Sequence, residues 1–301
     1  MVAGSQVGLL AALESWLLSE QCVDAAILFG SQVRLAGDSA AADGWSDVDL
    51  HLVTSDGSRL ERIDWGEAVP GHRLCMQVVR PASSGVRKIT LLFEDGEADL
   101  VLVPAGKLRL AYLLMNVGLH HRIGFISAGL NNLSTIMSGG YRFLKGERAW
   151  GKFFARVVTE MPGFRLDDSQ VRQLADTALC DFLWVLQKLE RGELVASQRI
   201  LHRGVLETNV VLLHELRLRR GEPTFQQARR VERLVSPRDL AALQLSARLD
   251  AGELRVAAWG ALAGLKSLMA ELVPSWSVPD GLTKLFAPYE LAGLASRLRR
   301  E

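Results

Sequence analysis

Asp47 and Asp49 stand one residue apart in the run Asp47-Val48-Asp49-Leu50-His51-Leu52-Val53, downstream of Ile27-Leu28-Phe29-Gly30-Ser31. In a strand, residues i and i+2 share a face. Both carboxylates then project together, while Val48 and Leu50 turn toward a core. Two like charges on one face repel, and a fold gains little from the pair unless a cation sits between them. A Gly-Ser turn with free backbone N–H groups nearby suits phosphate oxygens. Together these features read as a site for a magnesium-bound nucleoside triphosphate. A third carboxylate, Asp99, heads the apolar run Leu100-Val101-Leu102-Val103. Carboxylates converging from adjacent strands can hold a pair of magnesium ions, which bridge a triphosphate and stabilise charge on leaving pyrophosphate. Within hydrogen-bond reach, Asp99 is also able to accept the proton of an attacking hydroxyl.

Other residues carry weaker signals. Arg34 is a candidate contact to the triphosphate, weighed against a surface position. Lys145, in Tyr141-Arg142-Phe143-Leu144-Lys145-Gly146, is a candidate for the γ-phosphate with Tyr141 stacking nearby, weighed against a solvated helix face. His51 shares the face of Asp49 and either lines the site or neighbours it. His120-His121 lacks a carboxylate or cysteine at ligand spacing and reads as a helix-end pair. Trp184 lies on a helix that is apolar nearly all round, so core packing is expected of it.

The elements that position these groups follow from periodicity. Residues 6–19 read as a helix, 24–29 as a buried strand ending at Gly30, and 31–36 as the start of a helix whose N–H groups face the ligand. Gly37 to Ser46 reads as a loop, and 47–53 as the second strand. Residues 73–80, 87–93 and 98–103 follow as strands, the first two joined by the turn Pro81-Ala82-Ser83-Ser84-Gly85 and the last two by the hairpin signal Glu94-Asp95-Gly96-Glu97. Beyond about residue 107 helical periods take over, with helices near 107–117, 131–159 (broken at Gly139-Gly140), 168–191, 195–220, 224–234, 237–248 and 251–272. Pro274 to Pro288 reads as irregular, before a short basic helix. The expected fold is α/β (α+β): a mixed, mainly antiparallel five-stranded sheet domain over 1–106, then an all-α domain over 107–301 that binds the acceptor.

A chain of 301 residues fits two such domains, and its net charge of +1 argues against a general nucleic-acid binder. Its three cysteines, Cys22, Cys75 and Cys180, form no metal-ligand pattern. Reduced thiols and a cytoplasmic location are the expectation. Gly8-Leu9-Leu10-Ala11-Ala12-Leu13 is soon followed by Glu14, which fits an amphipathic helix better than a signal peptide. No apolar window reaches the length of a membrane span. Oligomeric state is open.

Gly-Ser, a loop, Asp-x-Asp on a strand and a third aspartate on a neighbouring strand resemble the DNA polymerase β-like nucleotidyltransferase superfamily. Arg73-Leu74-Cys75-Met76-Gln77, Leu91-Leu92-Phe93-Glu94-Asp95-Gly96 and Ala98-Asp99-Leu100-Val101-Leu102-Val103-Pro104 resemble its aminoglycoside 6-adenylyltransferase (streptomycin adenylyltransferase) group. So do Asp181-Phe182-Leu183-Trp184-Val185, Lys188, Gly192 and Arg199-Ile200-Leu201 in the helical half. The likeness spans roughly residues 5–290. It implies magnesium-dependent transfer of AMP from ATP to a hydroxyl of an amino-sugar antibiotic. It implies metal-binding roles for Asp47, Asp49 and Asp99, and a phosphate-binding role for Gly30 and Ser31. For a polycationic acceptor, Asp181, Glu190, Glu207 and Glu215 are candidate pocket residues, each weighed against an ordinary surface charge. Gln32 stands where that family commonly has a basic residue, and Pro279-Asp280-Gly281-Leu282 matches poorly. The same fold also serves other acceptors, a protein or a different antibiotic, or a non-catalytic nucleotide-binding module.

Overall fold

The computed structural model describes residues 4–34, 41–82, 85–224, 228–243 and 245–297, with side chains described within 8–289 of those ranges. Residues 35–36 of the helix expected after Ser31, 37–40 of the following loop, 83–84 of the turn, 225–227 and 244 of two expected helices and the last four residues lie outside the described residues. Contacts divide the chain into two compact units, Met1–Phe164 and Arg165–Glu301.

In the first unit, helix α1 (Gly4–Ser19) leads into β1 (Val23–Phe29) and a single 3-10 turn, Gly30–Val33. Then come β2 (Val48–Thr54), short helices α2 (Gly57–Glu61) and α3 (Trp65–Ala68), and β3 (Leu74–Pro81), β4 (Arg87–Phe93) and β5 (Gly96–Pro104). Helices α4 (Ala105–Asn116) and α5 (Gly124–Met137), strand β6 (Tyr141–Lys145) and α6 (Glu147–Glu160) complete it. The sheet has six strands in the order β3-β4-β5-β2-β1-β6. Only β2 and β5 pair in parallel; the other neighbours are antiparallel.

The mixed, mainly antiparallel sheet is as expected, but it holds one strand more than the five anticipated. The extra strand is Tyr141–Lys145, which periodicity placed inside a broken helix over 131–159. Tyr141, Phe143 and the intervening residues alternate as a strand does, and pairing with β1 overrides the helical pattern of the flanks. Gly146 then turns the chain into α6. It has φ of +80°, and a methyl group there would lie 2.7 Å from the Ala25 Cβ.

The sheet buries both faces, each differently. Leu28, Leu50, Leu52, Ile89, Leu91 and Leu100 face Leu9, Leu13 and Leu17 of α1, with Trp65 of α3. On the opposite face Ala25, Ile27 and Val53 pack under Leu108, Leu130, Phe153 and Phe154 of α4, α5 and α6. Those three helices therefore belong with the sheet. The division lies at Phe164/Arg165 and not at 106/107, because a helix over this face covers apolar β1 and β2 residues that would otherwise meet water. That second cover extends over only part of the face. On β3, Met76 and Val78 remain 49% and 36% exposed.

Among its described residues the second unit is all helical: α7 (Asp168–Glu190), α8 (Leu194–Ile200), α9 (Glu207–Arg220), α10 (Val231–Leu234), α11 (Pro237–Ala241), α12 (Ala251–Leu272) and α13 (Asp280–Arg297). A capping box between Asp167 and Gln170 starts α7. Between α8 and α9 the chain widens into one π-helical stretch, Leu201–Leu206. α13 begins at Asp280 and runs through Pro288, inside the stretch expected to be irregular. Phe182 anchors the core, edge-on to Trp259 and Phe286 at 4.9 and 5.0 Å. Trp184, expected in the core, is 55% exposed, because α7 buries Phe182, Val185, Leu186 and Leu189 on one side only. Among the described residues, no helix is long and apolar enough to cross a membrane.

Candidate active site

The site begins with strand register. In the parallel pair β2–β5, Asp49 lies opposite Asp99, Leu50 opposite Leu100 and Val48 opposite Ala98. Val48, Leu50, Ala98 and Leu100 are fully buried on one face, which forces both aspartates onto the other. Asp47 precedes Val48 and returns to the same face. Asp47, Asp49 and Asp99 each offer a carboxylate oxygen, and these oxygens all lie within 4.8 Å of one another. Asp99 is buried, and the other two are partly exposed.

The approach to Asp47 is fixed by a small hydrogen-bonded turn. Asp43 accepts from the backbone N–H of Trp45 at 3.0 Å and from the Ser46 hydroxyl at 3.0 Å, while Ser46 Oγ accepts from the Asp43 N–H at 2.9 Å. The Ala42 N–H donates to the Ser31 carbonyl at 3.0 Å, tying this turn back to the Gly-Ser turn.

Gly30 and Ser31 stand where β1 ends beside β2. Gly30 has φ of +76°, and a methyl group there would lie 2.5 Å from Asp49 Oδ2. Only glycine suits a left-handed conformation pressed so closely on a carboxylate. Ser31 is buried, and its Oγ has no hydrogen-bond partner among the described residues. A buried hydroxyl without a partner is costly, which points to a ligand oxygen as its missing partner.

Register also brings in residues that the motif does not contain. Glu97 lies two residues before Asp99 on β5, and so on the same face. Burial pushes its carboxyl above the usual range, with the charges of Asp99 and Asp47 adding to the rise; Lys88 and Arg80 oppose it. Thr90, opposite Asp99 on β4, donates its hydroxyl to Asp99 Oδ1 at 2.6 Å. Lys88 forms an ion pair with Asp99 Oδ2. Arg80, from β3, brings Nη2 to 3.9 Å from Asp99 Oδ1. Period-2 spacing of Lys88 with Thr90, and of Glu97 with Asp99, is the sequence signal that identifies this face.

Of the remaining candidates, Arg34 follows the 3-10 turn and lies against Gly139, where a methyl group would sit 2.8 Å from its Nη2. Lys145 is not brought to the triad. It pairs with Ala26, whereas Tyr141 pairs with Phe29 beside Gly30. The Lys145 ammonium donates to the Leu17 and Glu20 carbonyls at 3.0 and 2.6 Å, satisfying the end of α1. Tyr141 packs against Phe143 and Phe154. His51 is buried edge-on to Phe29 at 4.5 Å, and burial pulls its pKa down to about 4, so it neighbours the site as a neutral ring. His120 and His121 sit edge-to-face in a 3-10 turn.

In the helical unit the candidate acids differ in environment. Glu215 is buried, accepting from Arg165, Arg219 and the Leu166 N–H. Glu190 pairs with Arg255 at 2.6 Å. Glu207 is exposed. Asp181 packs against Gly204 of the π-helical stretch so closely that a methyl group there would collide with its carboxylate. Burial pushes the Asp181 carboxyl up.

The donor set of the triad is all carboxylate oxygen, the chemistry of a hard divalent cation such as magnesium. The orphaned Ser31 hydroxyl and the glycine cradle beside Asp49 fit a phosphate group next to it. These residues therefore fit a magnesium nucleotide.

No family model matches the chain, and no curated protein matches it. Among solved structures, the chain is similar to an aminoglycoside 6-adenyltransferase from Bacillus subtilis, at 12% identity over 96% of this chain and 98% of the other, with a TM-score of 0.42. It is also similar to a nucleotidyltransferase-like protein from Exiguobacterium sibiricum 255-15, at 12% identity over 89% of this chain and 76% of the other, with a TM-score of 0.33.

Proposed function

We propose that this chain is a nucleotidyltransferase that moves AMP from ATP to a hydroxyl of a small acceptor and releases pyrophosphate. The observation that carries the reading is the convergence of Asp47, Asp49 and Asp99, with oxygens within 4.8 Å of one another, beside the Gly30–Ser31 turn. Three carboxylates on one face repel, two of them opposite each other on neighbouring strands, and a divalent cation among them relieves that repulsion. The resemblance of the motif order to the aminoglycoside 6-adenylyltransferase group supports AMP as the transferred group and an amino-sugar antibiotic as the acceptor.

Asp47, Asp49 and Asp99 would hold magnesium. Bound there, the ion supplies charge neutralisation on the phosphates and on the departing pyrophosphate. The Ser31 hydroxyl donates to a phosphate oxygen, and Gly30 keeps that turn free of a side chain where it touches Asp49. The acceptor oxygen forms a bond to the α-phosphorus as the α–β bridging bond breaks, and the electron pair of that bond leaves with pyrophosphate. The acceptor's proton passes to a carboxylate of the cluster.

Incubation with α-labelled ATP, magnesium and a panel of amino-sugar, lincosamide and polypeptide acceptors tests this directly. The expected result is label on an amino sugar with stoichiometric pyrophosphate. Asp47→Asn or Asp49→Asn should lower turnover at least about a hundred-fold with the fold retained. Wild-type rates in either variant would overturn the assignment. Label on polypeptide would redirect the acceptor and leave the reaction standing.

A further inference from the structure

Asp99 already has a cation on it. Lys88 pairs with its Oδ2, Thr90 donates to its Oδ1, and Arg80 stands 3.9 Å from that same Oδ1. The placement follows from register: Thr90 opposes Asp99 and Lys88 opposes Val101, so Lys88, Thr90, Asp99 and Glu97 share one face. The side chains of Lys88 and Asp99 are 22% and 9% exposed, so water and salt screen the pair weakly. A carboxylate cluster on a sheet needs compensating charge, and Lys88 supplies it. A divalent ion held by the triad requires an Asp99 oxygen, and a doubly charged ion and an ammonium on one carboxylate repel strongly.

We propose that Lys88 is a resident counter-cation of Asp99 that a divalent ion displaces, so that metal loading and release of the lysine ammonium are one exchange. The proposal rests on reading the triad as a cation site. Sheet order gives the exchange a direction. Gly30–Ser31 follows β1, on one side of the β2–β5 pair, while Lys88 and Arg80 come from β4 and β3 on the other. A released Lys88 withdraws over the β3–β4 half of the face, where Met76 and Val78 are exposed, and leaves the Gly-Ser side to phosphate. Thr90 is the positioning residue that holds Asp99 in place while its counter-ion changes.

Two measurements on the full chain, without nucleotide, test the exchange. Manganese binding is followed by electron paramagnetic resonance for the wild type and Lys88→Met. Acetylation of individual lysines is followed by mass spectrometry with and without manganese. Lys88→Met should bind manganese about five- to ten-fold more tightly, the effect of removing one nearby positive charge. In the wild type, acetylation of Lys88 should rise at least about three-fold when manganese saturates, as a population released from its ion pair becomes reactive. Manganese binding with unchanged Lys88 reactivity, or equal affinity in the two proteins, overturns the exchange and spares the cation site. No manganese binding in either protein overturns the cation site and the exchange with it.

Discussion

At the scale of single residues, the site is defined by what Gly30 lacks. Its φ of +76° and the 2.5 Å that would separate a Cβ from Asp49 Oδ2 penalise any side chain there twice. Gly30→Ala should cost about 2 kcal/mol of stability, the range for a non-glycine residue held in a left-handed conformation. It should also push Asp49 away from its neighbours, so transfer should fall further than the loss of folded protein explains. Denaturant melts run beside turnover measurements check both parts; an alanine variant with wild-type stability would show that the turn relaxes freely. That Asp47 and Asp49 share a face beside a Gly30–Ser31 turn is legible in the sequence because a period of two and a Gly-Ser turn are local patterns, and Asp99 joins them through the pairing of β2 with β5. Lys88, Thr90 and Arg80 are harder to find. Their meeting with Asp99 depends on which strands pair and in which register, which a local pattern does not specify.

Among elements, β6 carries the main lesson. Periodicity ran a helix through Tyr141–Lys145, and the free edge of β1 recruited it as a strand. That pairing turns Lys145 toward the carbonyls that end α1. Lys145→Met should therefore cost about 2 kcal/mol in a denaturant melt, as expected for losing charged hydrogen bonds to part-buried carbonyls. Nucleotide affinity of the folded protein, measured by calorimetry, should stay within about two-fold of wild type, because the change in interaction is remote. A large loss of affinity with unchanged stability would reinstate Lys145 as a phosphate contact. In the helical unit, the meeting of α7 with the π-helical stretch gives a pH prediction. Burial raises the Asp181 carboxyl above its unfolded value, so the unfolded chain ionises first as pH rises. The native state is thus penalised at neutral pH, and the penalty fades as pH falls through the folded and then the unfolded pKa. Asp181→Asn should melt higher than wild type at pH 7 and lose that advantage in acid. An advantage independent of pH would assign the gain to something other than this ionisation.

For the whole molecule, the order of a sheet unit before a helical unit was readable, since strand-like alternation gives way to long helical periods. The position of the division was not. Helices α4–α6 read as helical by pattern, but Leu108, Leu130 and Phe153 complete a core with Ala25 and Ile27 of the sheet. Periodicity reports which side of a helix is apolar and says nothing of which partner covers it. Trp184 failed for a related reason: a helix apolar nearly all round still buries one side first, and Phe182 took the core position. The central claim is that the two parallel strands β2 and β5 form a divalent-cation site serving nucleotidyl transfer. Manganese titration of the full chain, alone and with a non-hydrolysable ATP analogue, tests it most directly. Wild type should bind manganese more tightly once the analogue is present, and Asp49→Asn should bind it at least about ten-fold more weakly than wild type under the same conditions. Equal manganese affinity in wild type and Asp49→Asn, with or without the analogue, would contradict the account.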